Sequence, residues 1–151
     1  MRWNKNYVMK PIHILLVEDN EGDVLLIKEA FQDARIVNNI STVNNGEKAI
    51  QFLEKTSPYQ DMTMPDIILL DVNLPRINGL EVLKYIKGRN ELKHIPVIIL
   101  TTSSNEKDIS ASYKNYANCY ITKPVEIDDF LQTVAKIENY WVQLIKLPPQ
   151  E

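Results

Sequence analysis

The chain has a single cysteine, Cys119, among its 151 residues. One thiol excludes an internal disulfide, and the apolar stretch around it reads as a strand. That usage fits a reducing compartment. Also missing is any apolar stretch near the roughly 18 residues that cross a membrane. Residues 1–10 hold two aromatics, Trp3 and Tyr7, but no apolar core, so they read as an N-terminal extension and not as a signal peptide. Basic charge is not in excess: the net charge is −3, which argues against a broad surface for nucleic acid. There are no internal repeats and no low-complexity segment. What remains, 44% hydrophobic and 25% charged, is ordinary for one globular domain. The expectation is a cytoplasmic protein with neither membrane nor nucleic acid as a partner.

Four short apolar runs end at, or just before, a residue with chemistry. Ile12-His13-Ile14-Leu15-Leu16-Val17 leads into Glu18-Asp19, and Ile67-Ile68-Leu69-Leu70 ends in Asp71. Val97-Ile98-Ile99-Leu100 leads into Thr101-Thr102, and Cys119-Tyr120-Ile121-Thr122 into Lys123-Pro124. Runs of this length read as buried strands of a parallel sheet. In an open α/β sheet the site lies beyond the carboxyl ends of the strands. Three carboxylates, a hydroxyl and an ammonium would then meet at one edge, a layout suited to metal-assisted phosphoryl transfer onto a carboxylate.

Between the strands the pattern turns helical. Asp23 is a good N-cap for a helix to about Ala34, with Val24, Leu25, Ile27, Ala30 and Phe31 as its apolar face. Ile40 to Val43 reads as a short second strand, Asn44-Asn45-Gly46 as a turn, and Glu47 to Glu54 as a helix with Ala49, Ile50 and Leu53 inward. Lys55 to Pro65 is a loop, and Leu80 to Lys87 a helix ended by Gly88. Ser104 or Asn105 caps a fourth helix to about Tyr116, and the last begins near Glu126. Five strands alternating with five helices imply an α/β fold of right-handed βαβ units in a doubly wound parallel sheet.

Glu18-Asp19, Asp71 with Asn73, Pro75 and Gly79, Thr101, and Lys123-Pro124 resemble the receiver domain of bacterial two-component response regulators. The resemblance covers roughly Pro11 to Lys136, and it implies the flavodoxin-like strand order 2-1-3-4-5. A second similarity is to stand-alone receivers that serve phytochrome-type kinases. It rests on Val17-Glu18-Asp19-Asn20 with Gly22-Asp23, on Leu100-Thr101-Thr102-Ser103, and on Glu138-Asn139-Tyr140-Trp141 with Leu147-Pro148. The domain plan is an extension (1–10), a receiver with a long C-terminal helix (11–147) and a tail (148–151).

Crowded carboxylates repel, and a bound cation is the natural way to keep Glu18, Asp19 and Asp71 all ionised. Oxygen ligands point to a hard cation such as Mg²⁺. The resemblance implies that the cation is held by Asp19, Asp71 and the Asn73 carbonyl, with Glu18 acting partly through water. It implies Asp71 as the phosphoacceptor, with the Thr101 hydroxyl and the Lys123 ammonium on phosphoryl oxygens. Pro124 is expected to follow a cis peptide. Tyr120 is expected to turn inward as Thr101 moves to the phosphate. Two positions depart from the commonest receiver pattern: bulky Thr102 follows Thr101, and Asn78 stands where acidic residues are frequent.

Past Lys136 the apolar spacing of Phe130, Leu131, Val134 and Ile137 continues through Tyr140, Trp141, Leu144 and Ile145, beyond the usual end of a receiver helix. Tyr140, Trp141 and Leu144 either cover their own domain or form a homodimer contact. The leading function is a single-domain response regulator. It takes a phosphoryl group from a sensor histidine kinase, slowly loses it by its own hydrolysis, and signals to an unknown downstream protein. A small metal-dependent phosphatase with an aspartyl-phosphate intermediate is the alternative, but such enzymes usually place a second Asp where this chain has Asn73. A flavodoxin-like carrier would need a phosphate cradle where the chain has acidic Glu18-Asp19-Asn20-Glu21.

Overall fold

The computed structural model describes residues 11–33, 38–102 and 119–135. Their elements alternate along the chain: β1 (Ile12–Val17), α1 (Glu21–Gln32), β2 (Asn38–Val43), α2 (Gly46–Glu54), β3 (Ile67–Asp71), α3 (Gly79–Lys87), β4 (Val97–Thr101), β5 (Cys119–Thr122) and α4 (Ile127–Ala135). All strand pairs are parallel, and the order is β2-β1-β3-β4-β5. The expected fourth helix, to about Tyr116, lies outside the described residues.

Burial explains which strands are legible as runs. Every residue of β1, β3 and β4 is buried, because helices cover both faces of the sheet. The edge strands β2 and β5 are only partly buried. Side chains alternate between two cores. Leu15, Val17, Ile68, Leu70 and Ile99 pack with Phe52, Leu53, Leu83 and Ile86 from α2 and α3. Ile14, Leu16, Leu69, Ile98 and Leu100 pack with Ile27 and Phe31 of α1 and Phe130 of α4. The Phe31 and Phe130 rings lie 4.7 Å apart and tilted by 59°, a pairing that adds about 0.5–1.5 kcal/mol beyond its buried area.

Several expectations are corrected. Asn20, not Asp23, caps α1: its Oδ1 accepts the Asp23 N–H at 2.9 Å. Leu25 is 58% exposed, because the buried stripe of α1 runs through Ile27 and Phe31. Phe52 is buried on α2, while Ile50 is only partly so. Strand β2 starts two residues before Ile40, since an edge strand tolerates the polar Asn38-Asn39. Gly88 ends α3 in a right-handed conformation, φ −86°, so its left-handed freedom is not used.

At the amino end of the sheet the 55–66 loop is pinned to β1. The His13 ring pairs with Ser41 Oγ at 2.8 Å and Thr63 Oγ1 at 3.0 Å. The His13 backbone N–H donates to Asp66 Oδ2 at 2.9 Å. The carboxyl end, opposite, is left to loops. The strand order reverses between β1 and β3, and the crevice there is where ligands of such sheets bind.

Candidate functional site

The ends of β1 and β3 build the acidic side of that crevice. The Glu18 N–H donates to the Val43 carbonyl at 3.0 Å, which extends the β1–β2 ladder by one residue. This carries the Glu18 side chain into the interior, 2% exposed, while Asp19 faces solvent. On β3 the Val72 N–H donates to Leu100 O at 3.2 Å, which ties the peptide after Asp71 to β4. Its Oδ1 accepts the Asn73 N–H at 3.0 Å, which turns the chain immediately after the strand. The loop continues through Arg76 in the left-handed region, φ 63°, to Asn78. Asn78 caps α3 by accepting the Glu81 N–H at 3.0 Å.

Carboxylate oxygens of Glu18, Asp19 and Asp71 all lie within 4.8 Å of one another. An all-oxygen set of this charge fits a hard divalent cation. Beside Glu18 and Asp19 a cleft of about 290 Å³ opens toward Lys48 and Tyr59, giving access from solvent.

The cationic side comes from β4 and β5. Thr101 is buried at the end of β4, and its carbonyl accepts the Lys123 N–H at 2.7 Å. The Lys123–Pro124 peptide is cis, as expected. Lys123 Nζ contacts Glu18 Oε1 and lies 3.2 Å from Asp71 Oδ2 and 3.0 Å from Asp23 Oδ2. Glu18, Asp19, Asp71, Thr101 and Lys123 are thus brought to one edge by four strands that are distant in sequence.

The family profile described as response regulator receiver domain matches residues 14–135. The chain belongs to the response regulator receiver family. It is 41% identical to response regulator Rcp1 of Synechocystis sp. over 138 residues, 91% of this chain and 94% of the relative. The crystal structure of the phosphorylated cyanobacterial phytochrome response regulator RcpA superposes with a TM-score of 0.75 at 42% identity, covering 93% of this chain and all of the other. The Mn²⁺-bound form of Rcp1 superposes at 0.74 with 41% identity, covering 92% of this chain and all of the other.

Electrostatics in the receiver's site follow from crowding and burial. Burial pushes Glu18 up to about 7, the side chain of Asp71 pushes the same way, and Lys123 opposes them. Burial alone would lower Lys123. Contacts with Glu18, Asp23 and Asp71 outweigh it and hold the ammonium above the ordinary lysine range. The lysine is therefore charged at any physiological pH. Tyr120 is 38% exposed on edge strand β5. Residues Tyr140, Trp141 and Leu144 lie outside the described residues.

One site contact escapes sequence reasoning. Asp23 was readable as a cap, yet its carboxylate faces Lys123 from the first turn of α1. Its position four residues after Asp19 is the available signal: a helix starting just beyond a strand end keeps its first turn beside that end.

Proposed function

We propose that Asp71 accepts a phosphoryl group from a sensor histidine kinase, with Mg²⁺ held by Asp19, Asp71 and the Asn73 carbonyl and by Glu18 partly through water. The observation that carries this reading is that Asp71 is at once a member of the acidic group and a partner of the Lys123 ammonium, with buried Thr101 on the neighbouring strand. The bond from phosphorus to the histidine nitrogen breaks, with the electron pair staying on nitrogen, as a bond from phosphorus to an Asp71 oxygen forms. Little acid–base chemistry is needed. The demand is for charge neutralisation around the phosphoryl oxygens, and Lys123 and the Thr101 hydroxyl are placed to answer it. A cation held by these residues would supply further neutralisation of the same charge.

Water ends the phosphorylated state by attacking phosphorus, with the Asp71 carboxylate leaving and inorganic phosphate released. The protein is read as a cytoplasmic signalling component that resets itself slowly, not as a phosphatase acting on free substrates. Asn73 supports this, since it supplies an amide where aspartyl-phosphate phosphatases usually carry a second acid. The similarity to Rcp1 and RcpA supports a phytochrome-type kinase as the donor. Output passes to a downstream protein, by a change in the face formed by β5, the helix after it and the segment before it. The domain plan of residues 1–10, 11–147 and 148–151, and a homodimer through Tyr140, Trp141 and Leu144, belong to the same reading.

The decisive experiment uses phosphoramidate and Mg²⁺ with intact-mass detection. Wild type gains one acid-stable, base-labile phosphoryl group, and Asp71→Asn gains none. Labelling of that variant at the wild-type rate would sink the assignment.

A further inference from the structure

We infer that Asp23 is a positioning residue for Lys123, holding the ammonium in place once a cation has drawn away its other partners. This deepens the proposed phosphoacceptor role of Asp71 and rests on it. An ammonium has three hydrogens to donate. Here three carboxylates surround it: Glu18, Asp71 at 3.2 Å and Asp23 at 3.0 Å. Two of the three, Glu18 and Asp71, also belong to the acidic group that fits a divalent cation. Asp23 does not. When the cation engages Glu18 and Asp71, and a phosphoryl oxygen takes one lysine hydrogen, Asp23 is the carboxylate still committed to Lys123.

The backbone frees Asp23 for this task. Asn20 supplies the cap of α1, accepting the Asp23 N–H at 2.9 Å, and Val24 N–H closes the first helical bond onto Asn20 O at 3.0 Å. The Asp23 side chain is therefore not spent on the helix end. The seam that Asp23, Leu26 and Ile27 form with Lys123, Pro124 and Val125 encloses only about 10 Å³. That is room for about one water molecule, too little for a ligand. The Lys123 side chain is 9% exposed and that of Asp23 34%. The pair is shielded on the lysine side, where a lost partner is not simply replaced by solvent.

The test measures phosphorylation by phosphoramidate at saturating Mg²⁺, together with Mg²⁺ affinity by calorimetry. Asp23→Asn keeps the shape and removes the charge. It is expected to slow phosphorylation about tenfold while leaving Mg²⁺ affinity unchanged. Asp23→Glu should recover most of the rate. In a Lys123→Met background, Asp23→Asn should change nothing further. A rate unchanged or raised by Asp23→Asn overturns the proposal, as does the same loss persisting without the lysine, which would mark a purely structural role for α1. Wild-type rates in Lys123→Met alone would instead fail the underlying reading of the site, whatever Asp23 does.

Discussion

Gly79 lies against the backbone of Asp71: a Cβ placed on it would come 2.2 Å from the Asp71 carbonyl oxygen and 2.7 Å from Val72 Cα. The first turn of α3 thus rests directly on the end of β3, with Gly79 N–H donating to Val72 O at 3.1 Å. The obstructing atoms are main chain, so nothing there can rotate aside. Gly79→Ala should destabilise the fold by about 1–3 kcal/mol, the usual cost of overpacking, and should slow phosphorylation by displacing Asp71. Urea midpoints and phosphoramidate kinetics measure the two effects, and an unaltered midpoint would mean the contact is looser than described.

Removing the exposed ligand isolates the cation. Asp19→Ala should weaken Mg²⁺ or Mn²⁺ binding at least tenfold, about 1.4 kcal/mol, with little loss of stability because Asp19 faces solvent. Calorimetric titration reads this directly. Unchanged affinity would place the cation elsewhere.

Glu18 makes stability depend on pH in a definite direction. Its native value of about 7 lies above the ordinary 4.5. Between these values the native state holds a proton that the unfolded chain has already released. Stability therefore falls as pH rises from about 4.5 through 7, and levels off above. The difference between wild type and Glu18→Gln should change by up to ~3 kcal/mol across that window without divalent cations, in favour of the variant at pH 8. Millimolar Mg²⁺ should shrink the change, because a cation stabilises the ionised carboxylates. Denaturation midpoints at pH 5 and pH 8 check both statements, and parallel curves would show that Glu18 titrates as an ordinary carboxylate.

Tyr120 stands on the strand next to Thr101, with Thr101 in register with Thr122. Beryllofluoride with Mg²⁺ should draw the Thr101 hydroxyl to the phosphate mimic and turn Tyr120 inward from its exposed position. Thr101→Val should uncouple the two. Ring chemical shifts of Tyr120 report the change, and one unchanging environment in both states would rule the coupling out.

The segment carrying Tyr140, Trp141 and Leu144 is tested by mass. Light scattering at micromolar concentration should give a dimer for the full chain and a folded monomer for a chain cut after Lys136. A monomeric full chain, or an unfolded truncation, would move Trp141 from the interface to the core.

Four of the five strands are legible to the residue, because β1, β3, β4 and β5 are continuous apolar runs stopped by charge or a turn. Strand β2 is legible only from Ile40, because it opens on polar Asn38-Asn39. The first turn of α1 misleads for a different reason: Asn20 and Asp23 are equally good caps by residue type, and only the actual bond from Asp23 N–H chooses between them. Hydropathy puts Leu25 on the buried face, yet it is exposed. In the site, the strand-end residues are legible because topology alone gathers them. The Asp23–Lys123 contact spans 100 residues, so the spacing from Asp19 places Asp23 beside the strand end but does not name its partner.

The hydrogen bond from Lys123 N–H to the Thr101 carbonyl ties together two residues that flank the acceptor. Under the proposed reading, a pull on the Thr101 hydroxyl would be felt at its own carbonyl and so at the Lys123 peptide. Two residues on, Val125 is packed in the core that holds Phe130 of α4. In that reading detection and transmission would be adjacent links of one chain, with movement at Thr101 reaching α4 through the bond to Lys123 and the packing of Val125.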